Sequence, residues 1–90
     1  MSHQVTTISV RPSISVEFFT YPNQFIDKWK SQGSVSTILT ISDDKLTKTR
    51  VTIWSTKEIY NEFLVEKAAV LSNRDKYNTL SNITRTTTTA

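Results

Sequence analysis

Ninety residues with a formal net charge of +3, an isoelectric point near 9.4, one glycine and no cysteine make a basic chain. The missing cysteines exclude disulfides, thiolate metal sites and cysteine nucleophiles, and a single glycine excludes a glycine-rich phosphate loop. A lone domain of this size buries only about 60–65% of its unfolded surface, so a second copy is the stabiliser the composition leaves open.

Met1 to Ser9 is polar and lacks the apolar stretch of a secretory signal, and no apolar run approaches the ~20 residues of a membrane helix. The expected compartment is the cytoplasm, with no membrane partner. From Val5 to Phe19 apolar and polar side chains alternate with the period of a half-buried strand. Pro12 has no N–H for a sheet ladder and splits the run. The pattern predicts a core strand over Ile14–Phe19, with residues 1–13 as an N-terminal arm or edge strand. Pro22 suits a helix start, Phe25, Ile26 and Trp29 follow at one-face helical spacing, and Gly33 closes the helix with a positive φ. Ser34–Ile41 and Leu46–Trp54 are β-branched runs joined by the turn residues Ser42-Asp43-Asp44-Lys45, which predicts a hairpin.

Ser55-Thr56-Lys57-Glu58 reads as a capping box, with Trp54 and Ile59 as its hydrophobic staple. A helix follows with Tyr60, Phe63, Leu64, Ala68 and Leu71 on its apolar stripe. Ser72-Asn73-Arg74-Asp75 can restart a short helix carrying Tyr77, Leu80 and Ile83. Thr84 to Ala90 has no large apolar residue and reads as a disordered tail or a weak edge strand. The expectation is an α+β fold: a ferredoxin-like antiparallel sheet with two helices on one face, in the order βαββα, plus a last strand if the tail pairs. Residues 1–83 form one domain in this reading.

Candidate chemistry is sparse. The cations run from Arg11 to Arg85 with acids between many of them, a solvated surface rather than a phosphate-tracking stripe, so nucleic acid is not the expected partner. Asp43 and Asp44 resemble a metal pair but suit the turn they sit in, and no metal or cofactor is expected. Glu17 is a general-base candidate only if its strand face is buried; otherwise it is a solvated strand residue. Trp29, Trp54 and Tyr60 are candidates to line a ligand pocket, against core packing, with Tyr21 similar. His3 precedes the predicted ordered structure, so no serine has a histidine partner and no catalytic residue is assigned.

Arg50-Val51-Thr52-Ile53-Trp54-Ser55-Thr56-Lys57-Glu58-Ile59-Tyr60-Asn61-Glu62-Phe63 resembles a segment of the dimeric α+β barrel superfamily, which includes antibiotic-biosynthesis-monooxygenase-like domains. The strand–helix–strand–strand–helix order over residues 14–71 extends the likeness. The resemblance implies a dimer with two sheets packed face to face and helices outside. The chain departs from it in its threonine-rich end, its N-terminal arm and the absence of a pocket histidine.

Apolar residues fall on both parities of the hairpin, Ile38 against Leu39 and Trp54 against Val51 and Ile53. A sheet with one wet face shows them on one parity only, so a homodimer through the sheet is expected. The functional expectation is a non-catalytic homodimeric interaction or assembly module, with a protein partner possible. The alternative is a cofactor-independent monooxygenase-like enzyme or small-ligand-binding protein of the dimeric α+β barrel type.

Overall fold

In the computed structural model, which describes residues 2–90, four strands pair into one antiparallel sheet. They are His3–Val10 (β1), Val35–Ile41 (β2), Thr47–Trp54 (β3) and Thr84–Thr89 (β4), in the spatial order β2-β3-β1-β4. Three helices, Asp27–Ser31 (α1), Lys57–Glu66 (α2) and Ala68–Leu80 (α3), complete an α+β fold, with the second half of the expected long helix and the short helix after it joined in α3. No helix among the described residues is long and apolar enough to cross a membrane.

The N-terminal arm is one of the two interior strands. β1 pairs on one side with β3, from His3 opposite Trp54 to Val10 opposite Thr47, and on the other with β4. The Arg11 N–H makes a last bond to the Leu46 carbonyl at 2.9 Å, and Pro12, with no N–H to give, stops the strand. Residues 11–20, expected to hold the core strand, are irregular, and Ile14 is 65% exposed. Both edges of β3 are already taken by β1 and β2, which leaves the second half of the alternation without a sheet edge in the interior.

The threonine run is also ordered. Thr84 to Thr89 pair with Val10 to Val5, and Gln4 and Ala90 exchange two backbone bonds of 3.2 and 2.9 Å. β4 is held by its ladder and by β-branched side chains that suit extended backbone, not by apolar burial.

The hairpin of β2 and β3 falls within one residue of expectation. Its turn is locked by the Asp44 carboxylate, which accepts from the Ser42 hydroxyl at 2.6 Å and the Leu46 N–H at 3.0 Å. Those two bonds, the Ser42 one foremost, hold the Asp44 carboxyl below its ordinary pKa. Gly33 closes α1 as predicted: at φ +69° it follows the C-cap Gln32. The Gly33 N–H bonds the Lys30 carbonyl at 3.0 Å and the Ser34 N–H bonds the Trp29 carbonyl at 2.9 Å, a Schellman motif. The helix is shorter than expected because Gln24 takes a left-handed φ of 63°, so the helical run starts only at Asp27.

At the start of α2 the cap is Thr56, not Ser55. The Thr56 hydroxyl accepts from the Ile59 N–H at 3.2 Å, while the Ser55 N–H is drawn to the Ser34 carbonyl at 2.9 Å to finish the β2–β3 pairing. The cap therefore moves one residue on, which removes Glu58 from the reciprocal position and Trp54 from the staple position. Lys67, with ψ 17°, separates α2 from α3, so the expected long stripe is divided between two helices.

The core lies between the helices and one sheet face. Trp29 and Trp54, 1% and 2% exposed, sit edge-to-face at 6.0 Å, and Phe63 packs on both at 5.5 and 4.8 Å. Val5 and Val35 complete the buried cluster from the sheet. Because Val5, Ser9, Val35 and Trp54 are buried, their parities face the helices. The other parities face outward: Gln4, Thr6, Ile8 and Val10 on β1; Ser36, Ile38 and Thr40 on β2; Thr47, Thr49, Val51 and Ile53 on β3; Thr84, Thr86 and Thr88 on β4. None of these outward residues carries a charge.

Candidate ligand-binding cleft

Strand alternation puts Lys48, Arg50 and Thr52 on the parity of Trp54, so both cations of β3 point toward the helices. The register places Lys48 opposite Ser9 on β1 and Ser9 opposite Arg85 on β4. With strands ~4.8 Å apart, the Lys48 and Arg85 backbones stand about 10 Å from one another across a small buried serine. Arg50 follows in the next inward row, opposite Thr7. The floor of small side chains, Thr7 and Ser9, leaves open space beneath the helical layer.

The irregular segment after β1 forms the roof. Phe18, Phe19, Tyr21 and Phe25 lie over the sheet, and α3 adds Arg74 and Asn78; together they bound a cleft of ≈ 400 Å³. The roof is anchored by the Tyr77 hydroxyl, which donates to the Glu17 carbonyl, and by ring contacts of Phe19 with Tyr21 at 5.2 Å and Tyr77 at 5.8 Å. Lys48 Nζ and the Arg11 guanidinium each lie 4.6 Å from the Phe18 ring centre, and Arg50 lies 5.1 Å from that of Tyr21.

Positive charge in this cleft is only partly balanced, by Asp75 beside Arg74 and Arg85. Arg74 donates from Nε and Nη2 to Asp75 Oδ1 at 3.2 and 3.1 Å. Among the described residues, Lys48, Arg50 and Arg85 form no salt bridge, and no carboxylate lines the cleft. Burial, then the neighbouring Arg50 and Arg11, push the Lys48 ammonium down to about 8, which leaves it mostly protonated at pH 7. Burial, then Arg74, lower the Arg85 guanidinium in the same sense.

Of the residues singled out from sequence, Tyr21, Trp54 and Tyr60 line the cleft. Trp29 is enclosed in the core instead, and Glu17 is exposed outside the cleft. His3 does not precede the ordered structure: it is part of β1, its ring 5.0 Å from that of Tyr60, with Nε2 buried and unpartnered. The cations Lys48, Arg50, Arg74 and Arg85 were not singled out, although the shared parity of Lys48, Arg50 and Trp54 was the signal for two of them. Among the described residues no cluster of three histidine or acidic side chains is placed to hold a metal ion. The chemistry offered is recognition of negative charge beside aromatic surface. Comparison of the chain with protein-family models, curated proteins and solved structures gave no match.

Proposed function

We propose that this chain is a non-catalytic assembly module, a homodimer of ferredoxin-like protomers joined through the outer faces of their sheets. The observation that carries the proposal is the charge-free outer face. Its apolar residues include Ile38, 64% exposed, together with Ile8, Val10, Val51 and Ile53, in a chain whose strand cations all turn inward. An uncovered antiparallel face ordinarily carries the polar parity of its strands. The ferredoxin-like reading is supported by the connections: β1 to β2 through α1, and β3 to β4 through α2 and α3, each pass over one intervening strand.

A face of four strands, each about 7 residues long at ~3.3 Å per residue and ~4.8 Å apart, projects to roughly 400–450 Å². Side-chain relief raises the area buried over two copies to the order of 1,200 Å², the lower end for stable pairs. Sedimentation equilibrium at micromolar concentration tests this. The wild type is expected at twice its 10.3 kDa mass, and Val51→Lys, which sets a charge in the middle of the face, at the single mass with unchanged circular dichroism. A wild type that sediments as a monomer overturns the assembly reading. The cleft supports a second reading, that each protomer also binds a small ligand.

A further inference from the structure

We propose that the cleft takes a small organic anion, its acid group held between Lys48 and Arg85 above Ser9 and its apolar or aromatic body lodged under Phe19 and Tyr21. The inference rests on the ligand-binding reading and is independent of the dimer, which uses the opposite face of the sheet.

Three observations converge on this chemistry. The first is the register, which fixes Lys48 and Arg85 on the two flanks of one small residue, at a spacing that admits a carboxylate, sulfonate or phosphate group reached from both sides. The second is the incompletely compensated charge. A lysine and two arginines without a salt bridge face one half-enclosed space with no carboxylate among its lining residues; Arg50 and Arg11 crowd Lys48, and Arg74 crowds Arg85, where Asp75 offsets part of the charge. A purely structural role is a poor account of them, since long cationic side chains on a strand ordinarily extend to water and are not collected under a roof. The lowered pKa of Lys48, set first by burial and then by Arg50 and Arg11, agrees with its place under the roof.

The third observation is the company the cations keep. Aromatic rings of the roof face them, and Thr37, four residues along β2 from the Lys48 row, has a buried hydroxyl with no partner. A ligand with its acid head above Ser9 and an extended body meets that hydroxyl about 16 Å away, four residues along the strands and two strands across. A space of ≈ 400 Å³ is within the range of small-molecule sites. The charge-free outer face, in contrast, offers a nucleic acid no cation with which to track its phosphates.

Two dyes that share an aromatic body separate the parts of the inference: the anionic 8-anilinonaphthalene-1-sulfonate and the neutral N-phenyl-1-naphthylamine, each titrated by fluorescence into the full chain. The wild type is expected to bind the sulfonate at least about 10-fold more tightly, and inorganic phosphate to compete with it. Lys48→Met and Arg85→Met are each expected to weaken the sulfonate about 10-fold or more, the usual loss for one charge-assisted hydrogen bond, and to leave the neutral dye unchanged. Arg85→Gln, which keeps a polar side chain, serves if Arg85→Met fails to fold. Val51→Lys alters the outer face and is expected to change neither affinity. Equal binding of both dyes, or sulfonate affinity within twofold of wild type in the cleft variants, overturns the anion assignment while leaving a ligand cleft. Loss of sulfonate binding in Val51→Lys places the dye on the outer face and also overturns it. Binding of neither dye overturns the ligand-binding reading itself.

Discussion

Lys48→Met removes an ammonium that the fold holds against two guanidiniums and replaces it with an uncharged chain of similar length that still packs on Phe18. The folded protein lowers the Lys48 pKa from 10.5 to about 8, chiefly through burial. At 1.36 kcal/mol per pKa unit that difference corresponds to about 3.4 kcal/mol of destabilisation by the charged form. Lys48 is only half-buried, so solvent screening reduces the recoverable part to roughly 1–2 kcal/mol. The attraction of the ammonium to the Phe18 ring opposes the change but is worth only about 0.5–1 kcal/mol. Because the folded pKa is the lower one, the unfolded chain binds the extra proton between about pH 8 and 10.5. The penalty is therefore complete below pH 8 and is relieved as the pH rises through that window. The net gain is about 0.5–1 kcal/mol, so thermal unfolding at fixed protein concentration is expected to show Lys48→Met roughly 2–8 °C above wild type at pH 6.5. The gap should narrow by pH 10. A variant no more stable than wild type at pH 6.5, or a gap independent of pH, refutes the claim that Lys48 is held at a cost in the cleft.

Thr56→Ala is expected to cost about 1 kcal/mol in urea unfolding, because the Ile59 N–H loses its acceptor, while Ser55→Ala, whose backbone bond survives, should leave the midpoint nearly unchanged. Deletion of residues 84–90 is expected to cost several kcal/mol, a large share of the roughly 5–15 kcal/mol that stabilises a domain, since it strips one edge of the interior strand β1. Circular dichroism with a thermal scan checks it, and a midpoint within a few degrees of wild type would show that β4 is not integral.

The hairpin and the start of α2 were legible in the sequence because their signals are local. Ser42 to Lys45 makes its own turn, and Ser55-Thr56 offers two capping hydroxyls in a row. Which hydroxyl caps was decided at a distance, by the Ser34 carbonyl that takes the Ser55 N–H. The first strand was misplaced because the alternation from Val5 to Phe19 is uniform, and only pairing with β3 and β4 selects its first half. β4 was undervalued because its strength lies in backbone pairing, which a count of apolar residues does not register. The cleft was hidden by a reversal of the usual rule. In β3 the parity that includes Val51 and Ile53 faces out, while that of Lys48 and Arg50 faces in, and Trp54 was the only indication of which way the strand turns.

The run of threonines in β4 also bears on how the last strand finds its place. Thr86 to Thr89 are chemically identical, so a slip that set them opposite Val10 to Thr7 would keep threonine at those four positions and each side chain on its own face. What distinguishes the native alignment is its N-terminal end: Ile83 is 7% exposed, its N–H tied to the Asn78 carbonyl at 2.9 Å, and Arg85 enters the cleft beside Ser9. A shifted alignment would pull the isoleucine from its seat and move Arg85 from its place opposite Ser9. Arg85 thus acts as an alignment mark for a strand that otherwise lacks one. A ligand bound to it would clamp the sheet edge in a single register.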